Sequence, residues 1–142
     1  MNTDLEIILR LLLATFLGAV IGFQREKSGK EAGLRTNMLI CLGSALFTVL
    51  SIYAFPGADI ARVAAYIAAG IGFIGAGVIL HREGGGVAGL TSAATIWAVA
   101  GIGMSAGAGR YIVSVAACIL TLIVLLLPHL KKTAGKKDSK NE

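Results

Sequence analysis

Charge is scarce in this chain. Of its 142 residues only 15% are Asp, Glu, Lys or Arg, 56% are hydrophobic, and the mean hydropathy is +0.79. Soluble domains carry about a quarter of their residues charged, so these values exclude an ordinary globular domain and point to a membrane class. Proline is nearly absent, and Pro56 and Pro128 bracket apolar blocks rather than interrupt them. Cysteine occurs twice, as Cys41 and Cys118, each inside an apolar run and without paired ligand spacing. That excludes the usual cysteine metal sites and predicts buried free thiols. The start of the chain lacks a basic cluster, carries Asp4, and leads into an apolar run too long for a signal-peptide core, so the first hydrophobic segment is expected to be retained. Also missing are a nucleophile beside a base, a zinc-type ligand set, and any acid–base pair outside two Arg-Glu steps. No enzyme activity and no resident cofactor are expected.

What is abundant is glycine, 19 residues, much of it inside apolar runs, as in packed membrane helices. Apolar stretches fall at about 5–23, 36–55, 63–80, 91–106 and 110–127, and near 20 such residues span a bilayer. The fourth, "LTSAATIWAVAGIGMSA", is the short one. The expected fold is all-α, a polytopic membrane helix bundle of about five transmembrane helices over residues 1–130, with four as the alternative count. Residues 131–142 are expected to form a disordered basic cytoplasmic tail.

Basic residues set the expected orientation. Arg25, Lys27, Lys30 and Arg35 follow the first span, Arg82 follows the third, and five lysines lie in the tail. Placing these on the cytoplasmic side leaves only Arg62 and Arg110 outside and Arg10 within the first helix, so the N-terminus is expected outside and the C-terminus inside. The net charge of +5 is therefore a topology signal. No aromatic residues interleave with the tail lysines, and no nucleic-acid partner is expected; the tail suits solvent or anionic headgroups.

Residues 70–80, "GIGFIGAGVIL", contain Gly70-x-Gly72-x-x-Gly75, the spacing of a dinucleotide-binding turn. The context is wrong for one: the glycines lie inside an apolar span, and no acidic residue stands about 20 positions on. Gly70, Gly77 and the adjacent Ala69 and Ala76 instead predict a smooth helix face for close packing. Gly18, Gly22, Gly72 and Gly75 are expected to pack in the same way.

A duplication is more informative. Residues 18–36, "GAVIGFQREKSGKEAGLRT", and residues 75–92, "GAGVILHREGGGVAGLTS", share Gly-Ala, Arg-Glu, a loop glycine, and Ala-Gly-Leu before a hydroxyl. Each unit reads as a helix ending in Arg-Glu, a cytoplasmic loop, and the start of the next helix. The expected fold thus includes a duplicated helical hairpin, and sites often lie between such repeats. That predicts a cytoplasmic vestibule around Arg25, Glu26, Arg35, Thr36, Asn37, Arg82, Glu83, Thr91 and Ser92, with the hydroxyls at Thr36, Thr91 and Ser92 suited to helix N-caps.

Three readings of the vestibule stand open. The Arg-Glu pairs are interfacial salt bridges or snorkelling anchors, Glu26 and Glu83 form a cation site, or the helix starts bind an anion. Glu6 and Arg10, four apart, are expected to pair near the outer interface. His81 reads as an interfacial residue, and His129 merely follows the last span. Asn37, Cys41, Ser44, Thr48 and Ser51 recur every three to four residues as a polar stripe, either interhelical glue or one wall of a polar pathway. Trp97 falls mid-span and is expected to pack between helices.

The blocks "GFQREKSGKEAGLRTNMLICLGSALF", "GIGFIGAGVIL" and "GLTSAATIWAVAGIGMSAGAGRY" together resemble the MgtC/SapB family of bacterial inner-membrane proteins, over residues 11 to about 127. The resemblance implies about five membrane helices and a part in survival under low magnesium, acid or host-associated stress, with Mg2+ as a transported or sensed ion. One branch of the family is associated with restraint of the F-type ATP synthase and carries a soluble C-terminal domain. Here no such domain is expected after Lys131, and Thr91 stands where the virulence-associated branch tends to have Asn, so the chain looks closer to short SapB-like members. Two functions follow as expectations. One is magnesium or related ion homeostasis, extending to transport; the other is a regulator that binds another membrane complex and moves nothing. Transport predicts that the stripe from Asn37 to Ser51 lines water, and regulation predicts that it is dry. The glycine-rich faces exceed what five helices need among themselves, which predicts a homo-oligomer in the lipid bilayer.

Overall fold

The computed structural model describes residues 3–55, 57, 59–80 and 88–127. Five helices follow one another: α1 Thr3–Lys27, α2 Leu34–Tyr53, α3 Ile60–Leu80, α4 Leu90–Gly107 and α5 Tyr111–Leu126. No strand occurs among the described residues. The molecule is a helical membrane bundle. Each helix coincides with an apolar run free of internal proline, and in a bilayer the helix satisfies every backbone polar group within the segment. Between the runs the backbone turns at glycines; Gly109, with φ of 73°, closes the α4–α5 turn in a left-handed conformation that side-chain-bearing residues rarely adopt.

Four of these helices are long and apolar enough to cross a membrane: α1, α2, α3 and α4. The sequence-based expectation had the fourth as the short span, but α4 reaches 18 residues, and the shortest helix is α5 at 16. The difference is one residue at each end, since α4 begins at Leu90 and ends at Gly107 where the apolar run covers about 91–106.

α4 is the centre of the bundle. It packs against α1, α2, α3 and α5, and half of its span is buried, against 6% for α3 at the periphery. The core joins Ala14, Leu17 and Ile21 of α1, Ile40, Cys41 and Ala45 of α2, and Ile96, Val99, Ala100 and Ile102 of α4. Large apolar side chains such as Phe16, Leu39, Phe73 and Ile112 point outward instead, as suits a lipid solvent. Trp97 is among them. It is 62% exposed on the outer face of α4 and does not pack between helices of the chain, because the inward face of α4 is taken by Ile96, Val99 and Ala100.

Successive helices run in opposite directions. The start of α1, the end of α2, the end of α4 and the start of α5 meet at one end, joined by Arg10 contacts. The end of α1 and the starts of α2 and α4 meet at the other.

Candidate functional site

The end where α1 closes and α2 and α4 begin is set by a close approach of α1 to α2. A Cβ placed at Gly18 would stand 2.6 Å from the Asn37 carbonyl oxygen, and one at Gly22 would stand 2.7 Å from Leu34 Cα. Only glycine lets the backbones meet so closely. This brings Asn37 into the seam, fully buried, where its Nδ2 donates to the carbonyl oxygens of Ala32, at 2.5 Å, and Gly33, at 2.9 Å. The side-chain amide thus holds the loop strand that leads into α2.

Arg25 and Glu26 do not pair with each other. Arg25 is buried, and its Nη2 donates to Ser92 Oγ at 2.6 Å, tying the end of α1 to the first turn of α4. Glu26 is exposed, and its Oε2 accepts the Leu34 N–H at 2.8 Å. A carboxylate at that place satisfies one of the free N–H groups of α2 and complements the positive end of its dipole. The two residues of the first Arg-Glu step therefore fasten two different helices.

The hydroxyls are not N-caps. The cap positions are Gly33 and Gly89, neither with a side-chain cap hydrogen bond, so Thr36, Thr91 and Ser92 lie two or three residues past the caps, inside their helices. Leu34 and Leu90 of the matched Ala-Gly-Leu strings each open a helix, one turn earlier than hydroxyl capping would require. Glu26 supplies at α2 the acceptor that a capping hydroxyl would have given. Arg35, Thr36 and Thr91 are exposed, while Asn37 and Ser92 are buried. His81, Arg82, Glu83, His129 and the tail from residue 131 lie outside the described residues. Among the described residues no group of three or more His, Cys, Asp or Glu is placed to hold a metal ion.

The stripe of α2 runs inward from this end. Asn37, Cys41, Ser44, Thr48 and Ser51 are all buried. Its other wall is α4: a Cβ at Gly103 would overlap the Cys41 carbonyl, and one at Gly107 would come within 2.9 Å of Ala45 Cα. Thr48 turns its hydroxyl back to the Ser44 carbonyl at 2.7 Å. Backbone against backbone leaves no width between α2 and α4 at Cys41 and Ala45. Gly103 and Gly107, four apart, were not singled out from the sequence, although the same small-x-x-x-small spacing that marks Gly18 and Gly22 was present there.

The remaining glycines divide. Gly75 is buried, and a Cβ there would lie 3.5 Å from Ala93 Cβ on α4. At Gly70, Gly72 and Gly77 an added Cβ would meet no atom within 4 Å.

At the opposite end Arg10 gathers four elements. It pairs with Glu6, donates from Nη1 to the Gly107 carbonyl at 2.9 Å and from Nε to Tyr111 Oη at 3.3 Å, and stands 5.7 Å from the Tyr53 ring centroid. The Gly107 carbonyl lies at the end of α4, so the guanidinium also caps that helix's negative pole. The Glu6–Arg10 pair was readable from the sequence; the partners on α2, α4 and α5 were not.

The sequence model of the MgtC family matches residues 11–133. Among curated proteins, the chain is 46% identical over 132 residues to YhiD of Escherichia coli K12, provisionally named a magnesium transporter, covering 87% of this chain and 61% of that protein. It is 41% identical over 141 residues to protein SapB of Bacillus subtilis, covering 93% and 61%. Against protein MgtC of Salmonella typhimurium it is 48% identical over 120 residues, covering 84% and 51%. The chain thus spans between half and two thirds of the length of these relatives. No solved structure gives a significant match.

Proposed function

The chain belongs to the MgtC family, and from that membership we propose that it serves magnesium homeostasis in a bacterial inner membrane through contact with another membrane component, without conducting the ion through its own helices. The observation that carries this reading is the closed seam of α1, α2 and α4. Mg2+ sheds water reluctantly and takes oxygen ligands, commonly with one or two carboxylates. The stripe offers one amide, one thiol and three hydroxyls, with no carboxylate, and glycine backbones fill the space beside it. A divalent cation there would be desolvated without compensation.

The working surface in this reading is the end that carries exposed Glu26, Arg35, Thr36 and Thr91, facing the cytoplasm with the N-terminus outside. Glu26 together with Glu83 is the pair at which Mg2+ would be sensed. The partner is a second copy of the chain or a membrane complex such as the F-type ATP synthase. Transport is the second reading, favoured by the name given to the Escherichia coli relative.

Magnesium flux into proteoliposomes separates the two. Regulation predicts no flux above protein-free vesicles, both for the intact chain and for the Glu26→Gln, Glu83→Gln double variant. Flux in the intact chain that disappears in the folded double variant would overturn regulation in favour of transport.

A further inference from the structure

α2 and α3 leave a groove between them. Leu39, Gly43 and Phe47 form one wall and Tyr66, Gly70 and Ile74 the other, enclosing a cavity of about 540 Å³ open to the side. The groove exists because two glycines face it at mid-height. An added Cβ at Gly43 or Gly70 would meet no atom within 4 Å. The walls are apolar apart from the Ser44 hydroxyl and Tyr66, and Tyr66 is 71% exposed at the rim.

Charge marks one mouth of this groove. Arg35 lies one turn before Leu39 on α2 and so on the same helix face, and helical side chains lean toward the N-terminus, which carries its guanidinium to the headgroup level. Arg35 is exposed, and among the described residues no carboxylate is within ion-pair distance of it. Between residues 25 and 35 the chain places four basic and two acidic side chains at that end. From Arg35 to Phe47 the helix rises about 18 Å, close to one leaflet, since the hydrocarbon core is about 30 Å thick.

We propose that the groove between α2 and α3 holds an acyl chain of an acidic phospholipid whose headgroup is bound by Arg35. The apolar walls accept any acyl chain, and the arginine selects the headgroup by charge. The groove touches the stripe at Ser44, and the site does not depend on the proposed role in magnesium homeostasis.

Quenching by brominated lipids tests it. Trp97 is the sole tryptophan and stands on α4, outside the groove. A Phe47→Trp, Trp97→Phe variant moves the reporter into the groove wall. Both proteins are reconstituted with brominated phosphatidylglycerol or brominated phosphatidylcholine at one fixed mole fraction. At position 47 the apparent affinity for phosphatidylglycerol should exceed that for phosphatidylcholine by about fivefold, the effect of one basic contact near the headgroups. At position 97 the ratio should be near one. Adding Arg35→Gln should bring the ratio at position 47 to one, and Gly70→Leu, which enters open space, should reduce quenching there by both lipids. Equal ratios at the two positions, or a preference that survives Arg35→Gln, would overturn the proposal. So would weak quenching at position 47 that rises as the protein is diluted in lipid, since a second copy would then fill the groove.

Discussion

Arg10 shows how much one side chain can hold in a bundle of short loops. Its guanidinium meets Glu6, the Gly107 carbonyl, the Tyr111 hydroxyl and the Tyr53 ring, and so joins α1 to α2, α4 and α5 at one end. Arg10→Met keeps the apolar stem and removes every donor. Hydrogen bonds to a charged group contribute about 1.5–3 kcal/mol, so this variant should lose about 2–3 kcal/mol in reversible unfolding in detergent. Arg10→Lys should lose less, because the charge stays while the fork that reaches Gly107 and Tyr111 together is gone. At the other end, Ser92→Ala should cost about 1–3 kcal/mol by leaving the buried Arg25 donor without its hydroxyl. The four-residue spacing of Glu6 and Arg10 made their pairing legible in the sequence. Gly107 and Tyr111, about a hundred positions away, carried no local sign of it.

At the scale of the helices, the runs of apolar residues told where the helices are but not how they are arranged. Hydropathy measures length and lipid compatibility, and both α3 and α4 satisfy it. Their places differ because α4 carries Gly103 and Gly107 against α2, whereas an added Cβ at Gly70 or Gly72 of α3 would meet no atom within 4 Å. The helix taken as short is therefore the central one, and Trp97 lies on its outer face. Boundaries moved for a local reason. Gly33 and Gly89, not the hydroxyls after them, occupy the cap positions, and Glu26 provides the acceptor for α2. Gly103→Ala should destabilise the bundle by about 1–3 kcal/mol, the usual cost of overpacking, or more, because backbone cannot yield as a side chain can. Gly101→Ala is its control. It enters open space and should be neutral or slightly stabilising through helix propensity.

At the scale of the whole molecule, the polar stripe of α2 is a packed seam. The stripe itself was legible as a three-to-four-residue recurrence of small polar residues, and so was the choice it posed between glue and pathway. Only the neighbours decide it, and those are the glycines of α1 and α4. A closed seam moves the expected function to the ends and outer faces of the bundle, where Glu26 and Arg35 are exposed. Cys41 and Cys118 offer a native readout, since both are free and buried, Cys41 on the stripe and Cys118 on α5.

The most direct measurement is the rate at which a small water-soluble thiol reagent labels Cys41 in intact membranes, with and without magnesium. Cys118 serves as the buried reference and Thr36→Cys, at the exposed start of α2, as the accessible one. Cys41 should react as slowly as Cys118 under both conditions. Labelling of Cys41 at a rate close to that of the Thr36→Cys site, while Cys118 stays protected, would mean that water reaches the stripe and would contradict the closed seam.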